Sequence, residues 1–262
     1  MRVGEQASQF NSNGVPIRYV IQGEGEPVIL LHGFILNLRT NWIAGGVLDA
    51  LSRHHRVAAF DLRGHGESGK PHEPQSYGME MVHDVIRLMD HLNMERAHVV
   101  GYSLGGILAL KLIETAPKRL HSLVVGGADW IPDRNSASQK WGGLTDLMRR
   151  IQPGESISSY FWPDGNGRPP REIREVIDNN DARALAAVSS GMMDVTVSVD
   201  VLRSNCVPIL ALFGENDPIQ SSGAAMKAVA KNFTMQVVPG LDHHTLAGSP
   251  EFPQAIRQFI TR

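Results

Sequence analysis

A serine framed by glycines, Gly101-Tyr102-Ser103-Leu104-Gly105 with Gly106 behind it, is the segment of this 262-residue chain best equipped for chemistry. The apolar run Ala97-His98-Val99-Val100 leads into it, and the helical pattern Ile107 to Glu114 leads out. G-x-S-x-G between a strand and a helix is a turn sharp enough to strain its central residue. The residues two positions to either side must be small, because side chains there would collide with the turn. The strain lifts the serine oxygen into the open and aims a backbone N–H at the same point. A nucleophile that attacks a carbonyl carbon needs that arrangement, and a core serine does not.

A serine hydroxyl is a weak nucleophile until a base takes its proton. The segment Pro239-Gly240-Leu241-Asp242-His243-His244 offers two adjacent bases. His243 is preferred; it stands seven positions before Pro250, a spacing that gains meaning below. The base needs a carboxylate to fix its tautomer. Asp217, in Gly214-Glu215-Asn216-Asp217-Pro218 after an apolar run, is the first candidate and Asp129 the second. Asp242 is too close to His243 to orient it, and Glu215 comes too early in its turn. The order Ser103, Asp217, His243 is the one that accompanies this serine turn. A tetrahedral intermediate also needs preorganised donors for its oxygen. The expected pair is the amide of Leu104, directly after the nucleophile, and that of Phe34 in Leu31-His32-Gly33-Phe34.

Other polar clusters read as structural. In Asp61-Leu62-Arg63-Gly64-His65-Gly66-Glu67-Ser68 the glycines bend the chain. Asp61 and Arg63 are expected to pair with each other or hold the turn, and His65 to serve the turn as well. No metal set is expected, since the adjacent pairs His54-His55 and His243-His244 do not converge as an i, i+4 pair does. The glycines near Ser103 lack the Lys-Ser/Thr ending of a phosphate-binding loop.

Something rigid must bring these residues together. Val15–Ile21, Val28–Leu31, Arg56–Phe60, Ala97–Val100, Leu120–Val125, Pro208–Phe213 and Thr234–Val238 read as strands. Most are continuous apolar runs, which suit parallel strands covered on both faces. Helical spacing over Met79–Leu92, Ser222–Ala230 and Pro253–Ile260 alternates with them, so the fold class is α/β with a mostly parallel sheet. Chemistry in such sheets collects at the carboxyl ends of the strands. From Trp130 to Ser204 the alternation stops. Helical patterns at Gln139–Ile151, Arg171–Asn179 and Ala182–Met193, punctuated by prolines, read as a lid inserted between two strands. The expected division is a core of residues 1–129 and 205–262 and a helical cap of residues 130–204.

The remaining numbers exclude classes. Apolar residues make up 42% and charged residues 20%, as in an ordinary globule. A formal charge of -2 argues against nucleic acid or an anionic membrane as partner. No apolar run approaches the ~20 residues of a membrane span. Cys206 is the one cysteine, which excludes an intrachain disulfide. With the polar opening Met1 to Gln6, these features lead to the expectation of a cytoplasmic protein.

Taken together, His32-Gly33-Phe34, Asp61 to Ser68, Gly101 to Gly106, Gly214 to Pro218, and Pro239 to His243 with Pro250-Glu251 after it make the chain resemble the α/β-hydrolase superfamily. The resemblance is to its small esterases and carbon–carbon-bond hydrolases. It implies an eight-stranded, mostly parallel sheet with a helical cap after the sixth strand, and no cofactor. It also implies Ser103 as nucleophile, Asp217 as acid and His243 as base, because the family's histidine stands about seven residues before a Pro-Glu. Ser103 separates the chain from the related dehalogenases and epoxide hydrolases, which carry aspartate there. His32-Gly33-Phe34 replaces the glycine run that admits bulky tertiary esters.

The expected activity is hydrolysis of a small carboxylic ester through an acyl-enzyme. One alternative is carbon–carbon cleavage of vinylogous diketones, with Lys140, Arg174 or Arg183 available for a second carboxylate. The other is a small-ligand binding protein with incidental hydrolysis. The expected partner is a small-molecule substrate; the oligomeric state stays open. Trp130, Trp141, Phe161, Trp162, Met192 and Met193 are the candidate pocket residues.

Overall fold

The apolar runs form strands whose alternate residues enter two different layers. In β3 (Glu26–Leu31), Ile29 and Leu31 pack on one face of the sheet, while Val28 and Leu30 pack on the other. β4 (His55–Phe60) does the same with Ala58 and Phe60 against Val57 and Ala59. Burial on both faces explains why these segments read as unbroken apolar stretches.

The computed structural model describes residues 6–163, 165 and 168–261. Of the polar opening Met1 to Gln6 noted above, Met1 to Glu5 lie outside them. The other strands are β1 (Gln6–Ser12), β2 (Val15–Gln22), β5 (Ala97–Tyr102), β6 (Leu120–Gly126), β7 (Ile209–Gly214) and β8 (Phe233–Val238). The sheet order is β1-β2-β4-β3-β5-β6-β7-β8, antiparallel at β1/β2 and β2/β4 and parallel elsewhere. β1 is an addition to the expected strands. It folds onto β2 through Asn13-Gly14, both at positive φ (52° and 84°), the two-residue turn that matches the twist of a hairpin.

Helices α1 (Val47–Leu51), α2 (Met79–His91), α3 (Leu104–Thr115), α9 (Gln220–Val229) and α10 (Glu251–Ile260) accompany the sheet. Between β6 and β7 lie α4 (Arg134–Arg150), α5 (Ile157–Phe161), α6 (Arg171–Asp178), α7 (Ala182–Gly191) and α8 (Val199–Ser204), with no strand among the described residues. α4 starts earlier than its apolar spacing suggests, because the Asp133 carboxylate accepts from the Ser136 amide and caps it. The insertion has a small core of its own, including Met148, Ile157, Trp162, Ile177 and Leu185, which also covers Ile35 of the main body.

The glycine-rich turn after β4 departs from expectation in one pairing. Arg63 does not pair with Asp61. Both Asp61 oxygens are occupied by amides, Oδ1 by Leu38 (2.9 Å) and Oδ2 by Glu67 (2.8 Å), so Asp61 holds the turn. Arg63 is buried and makes a two-pronged bond to Asp84 of α2, both contacts at 2.6 Å.

Candidate active site

Ser103 caps β5 with φ 51° and ψ −115°, a conformation costly for a side chain larger than glycine. Its amide is held by the Gly126 carbonyl at 2.8 Å. A Cβ at Gly105 would stand 2.1 Å from the Leu31 carbonyl oxygen, so the helix after the serine presses directly on the end of β3. That contact requires glycine at 105, and the 2.2 Å that would separate a Gly101 Cβ from the Gly105 carbonyl oxygen requires it at 101.

His243 enters from the loop after β8. Its Nε2 is 3.2 Å from Ser103 Oγ and its Nδ1 is 3.1 Å from Asp217 Oδ2. A carboxylate only accepts, so Nδ1 carries the proton and Nε2 is left to accept from the serine hydroxyl. The second Asp217 oxygen accepts from the Ile219 amide at 3.0 Å, which fixes the carboxylate's rotation. The Asp217 side chain is fully buried. The three groups form one hydrogen-bonded line able to draw a proton off the serine.

The competing carboxylates are engaged elsewhere. Asp129 bonds to Lys140. Asp242 folds into its own loop, its Oδ1 accepting from the His244 and Thr245 amides, each at 2.9 Å. Glu215 accepts from the Gly240 amide.

The Leu104 amide opens α3, so no carbonyl of its own helix can reach it. The Phe34 amide has no acceptor among the described residues. Phe34 and Leu104 both line the cavity that holds Ser103.

The peptide that presents Phe34 is clamped. Its Gly33 carbonyl accepts from His32 Nδ1 at 2.8 Å, and His32 Nε2 accepts from the Leu62 amide at 2.9 Å. The Gly33 amide donates to Asn41 Oδ1 at 2.9 Å. Asn41 lies buried in a wide helical turn, Arg39–Ile43, beside the cavity. Nothing in local spacing marks it; only the folded chain brings it to Gly33. Asn41→Leu is expected to lower kcat about 10–100-fold by loosening that peptide, the order that misplacement of a catalytic group costs. Asn41→Asp, which keeps the acceptor, is expected to retain most of the rate. Equal losses in steady-state ester assays of the two variants would refute this positioning role.

Two more residues stand out only in three dimensions. Gly127, at φ 50°, leaves room for the His243–Asp217 bond; a Cβ there would lie 3.0 Å from His243 Nδ1. Tyr102 Oη donates to the His243 carbonyl at 2.5 Å and steadies the histidine loop.

His32 and His65 are fully buried with rings 5.2 Å apart. Burial lowers their pKa values from 6.5 to about 4 and about 3. The unfolded chain therefore takes up protons first as pH falls. Each histidine's contribution is complete above about 6.5 and is lost towards its folded value, at about 1.4 kcal/mol per pH unit. Urea unfolding between about pH 6 and 4.5 is expected to show His65→Phe with a shallower pH slope by that amount. An unchanged slope would contradict the assignment.

The cavity measures about 580 Å³. Trp141, Phe161 and Trp162 line it as expected, and Trp130, Met192 and Met193 do not. Trp130 is turned away by its indole bond to the Val197 carbonyl (2.7 Å), which ties the start of the insertion to its end. Met192 is fully buried and Met193 packs against the same core. The wall instead includes Ile173, Ile177 and Pro170 of the insertion, Ile35 and Leu36 after β3, and His244. His244 sits with its ring 5.2 Å from that of Trp162, and burial followed by the neighbouring His243 lowers its pKa. Of the three cations considered for a second carboxylate, only Lys140 reaches the wall. Arg174 is bonded to the Pro169 carbonyl, and Arg183 lines a separate groove with Arg149 and Asp178.

Comparison with known proteins agrees with this architecture. Residues 26–152 match the profile of a family described as alpha/beta hydrolase fold. A Bacillus subtilis protein provisionally named 2-succinyl-6-hydroxy-2,4-cyclohexadiene-1-carboxylate synthase is 32% identical over 94% of this chain and 95% of its own. A hydrolase from Pseudomonas aeruginosa superposes with a TM-score of 0.84 at 25% identity, covering 98% of this chain and 99% of that one. A thermophilic esterase from Thermogutta terrifontis does so at 0.80 and 28%, covering 98% of both. Three other curated relatives are matched over 28%, 38% and 62% of their own length. With its eight-stranded sheet and near full-length relatives, the chain belongs to the alpha/beta-hydrolase superfamily.

Proposed function

We propose that this protein is a serine hydrolase that cleaves small, largely apolar carboxylic esters through an acyl-enzyme. The observation that carries this reading is the line of 3.2 Å and 3.1 Å contacts from Ser103 through His243 to Asp217. Ser103 Oγ attacks the ester carbonyl carbon as its proton passes to His243 Nε2. The carbonyl oxygen takes the charge and is received by the Phe34 and Leu104 amides. The intermediate collapses, and the departing alkoxide takes the proton from Nε2. Water then repeats the sequence on the acyl-enzyme: it loses a proton to Nε2, the acid leaves, and Ser103 recovers its hydrogen. Asp217 stabilises the imidazolium at both stages.

We assign residues 130–204 as the cap on the ground that Trp141, Phe161, Trp162 and Ile173 of that segment line the cavity that holds Ser103. An apolar wall suits acyl or alcohol groups of modest size. No helix among the described residues is long and apolar enough to cross a membrane. Cys206 is an exposed free thiol, which suits a reducing cytoplasm.

Activity-based labelling tests the reading. Intact protein treated with an alkyl fluorophosphonate is expected to carry one label, at Ser103, and to hydrolyse short p-nitrophenyl esters. Absence of both label and turnover, with a vinylogous diketone or no substrate consumed, would overturn it.

A further inference from the structure

Lys140 is the one residue of the cavity wall, among those described, with a permanent positive charge, and no aspartate or glutamate lines the wall. Its ammonium lies 5.7 Å from the centroid of the Trp141 ring. It is not available as a free cation. Its Nζ donates to Asp129 Oδ2 in a close ion pair. Both side chains are half-buried, at 31% and 24% exposure, so solvent screens the pair only in part.

The backbone on either side of Asp129 is held. The Gly127 amide donates to the Leu212 carbonyl at 2.8 Å, and the Trp130 amide donates to Ser222 Oγ at 2.6 Å. The backbone that carries the carboxylate is therefore anchored to the core beside Lys140. Lys140, by contrast, rides on α4 of the insertion. The pair joins the core to the insertion at the edge of the site.

We infer that Asp129 masks Lys140 and thereby restricts the cavity to substrates with no anionic group on the side that meets Lys140. A substrate carboxylate arriving there would place two anions on one ammonium in an apolar wall, and like charges brought together across an interface are strongly disfavoured. A neutral chain meets no such opposition. This inference rests on the hydrolase reading above and narrows its substrate class. It also counts against ring-fission products that present a free carboxylate to the cap.

The test uses two fluorophosphonates with the same alkyl chain, one ending in a carboxylate and one in its methyl ester. The readout is the ratio of their second-order labelling rates on one protein preparation, so partial loss of folded protein cancels. The unmodified protein is expected to favour the methyl ester by about tenfold or more. Asp129→Asn unmasks the ammonium and is expected to shift the ratio at least about tenfold towards the carboxylate probe. The double variant Asp129→Asn/Lys140→Met is expected to lose that gain. Lys140→Met alone, which keeps the anion and removes the cation, is expected to disfavour the carboxylate probe further. It supplies the answer if Asp129→Asn does not fold. A ratio near one in the unmodified protein, or a ratio that neither single variant moves, overturns the inference. Failure of the underlying reading looks different: neither probe labels, or Ser103→Ala labels as well as the unmodified protein.

Discussion

Ser103→Ala is expected to lower kcat on p-nitrophenyl butyrate by about 10⁴–10⁶-fold and to abolish fluorophosphonate labelling, the scale seen when one member of a cooperating serine–histidine–aspartate set is removed. The geometry leaves no substitute. Ser103 Oγ is the hydroxyl that His243 Nε2 meets, and the Leu104 amide that would receive the oxyanion is set by the same turn. His243→Ala is expected to cost a similar factor, and the double variant hardly more, because the two groups act on one proton. The strained φ of 51° belongs to the backbone at position 103, whose amide is held by the Gly126 carbonyl. Alanine keeps that backbone, so its thermal midpoint is expected to stay close to that of the unmodified protein. A rate within tenfold of the unmodified protein in a purified, folded Ser103→Ala sample would remove Ser103 from the mechanism.

The parts of this site that are legible in the sequence are those written in local spacing. The glycines around Ser103, the buried run before it and the helix after it are consecutive, so strand, turn and helix can be read without knowing what packs on them. Asp217 and His243 follow strands β7 and β8, and in a parallel sheet the ends of neighbouring strands meet. What stays hidden is contact that no regular spacing encodes. Asn41 carries no periodic or turn signal, yet from eight residues on it anchors Gly33. Gly127 reads as an ordinary turn residue until His243 is set beside it. Arg63 sits two residues from Asp61, and proximity along the chain favours that pairing. In the folded protein the amides of Leu38 and Glu67 have already filled Asp61, and Arg63 turns to α2. The pocket residues divide for a related reason. Composition marks Trp130, Met192 and Met193 as apolar, but only the indole bond to Val197 and the packing of the two methionines decide that they face the core.

Asp217→Asn is expected to lower kcat by about 10⁴-fold, as much as a charge-removing alanine or more, although asparagine is the closer match in shape. The reason lies in the Ile219 amide. It donates to Asp217 Oδ1 at 3.0 Å, so in the variant the oxygen of the new carboxamide is retained at that position. Its NH₂ then occupies the place of Oδ2, 3.1 Å from His243 Nδ1. A donor facing Nδ1 forces the imidazole proton onto Nε2, and Nε2 can no longer accept from Ser103. The variant thus holds the base in its inactive tautomer, whereas Asp217→Ala leaves the ring free to adopt either. The measurement is the pair of kcat values on one p-nitrophenyl ester, with nitrogen-15 shifts of the His243 ring reporting the tautomer. Near-normal turnover in Asp217→Asn, or a proton still on Nδ1, would mean that the carboxylate at 217 does not orient the base. The search for the orienting group would then pass to Asp129, whose charge the structure shows committed to Lys140.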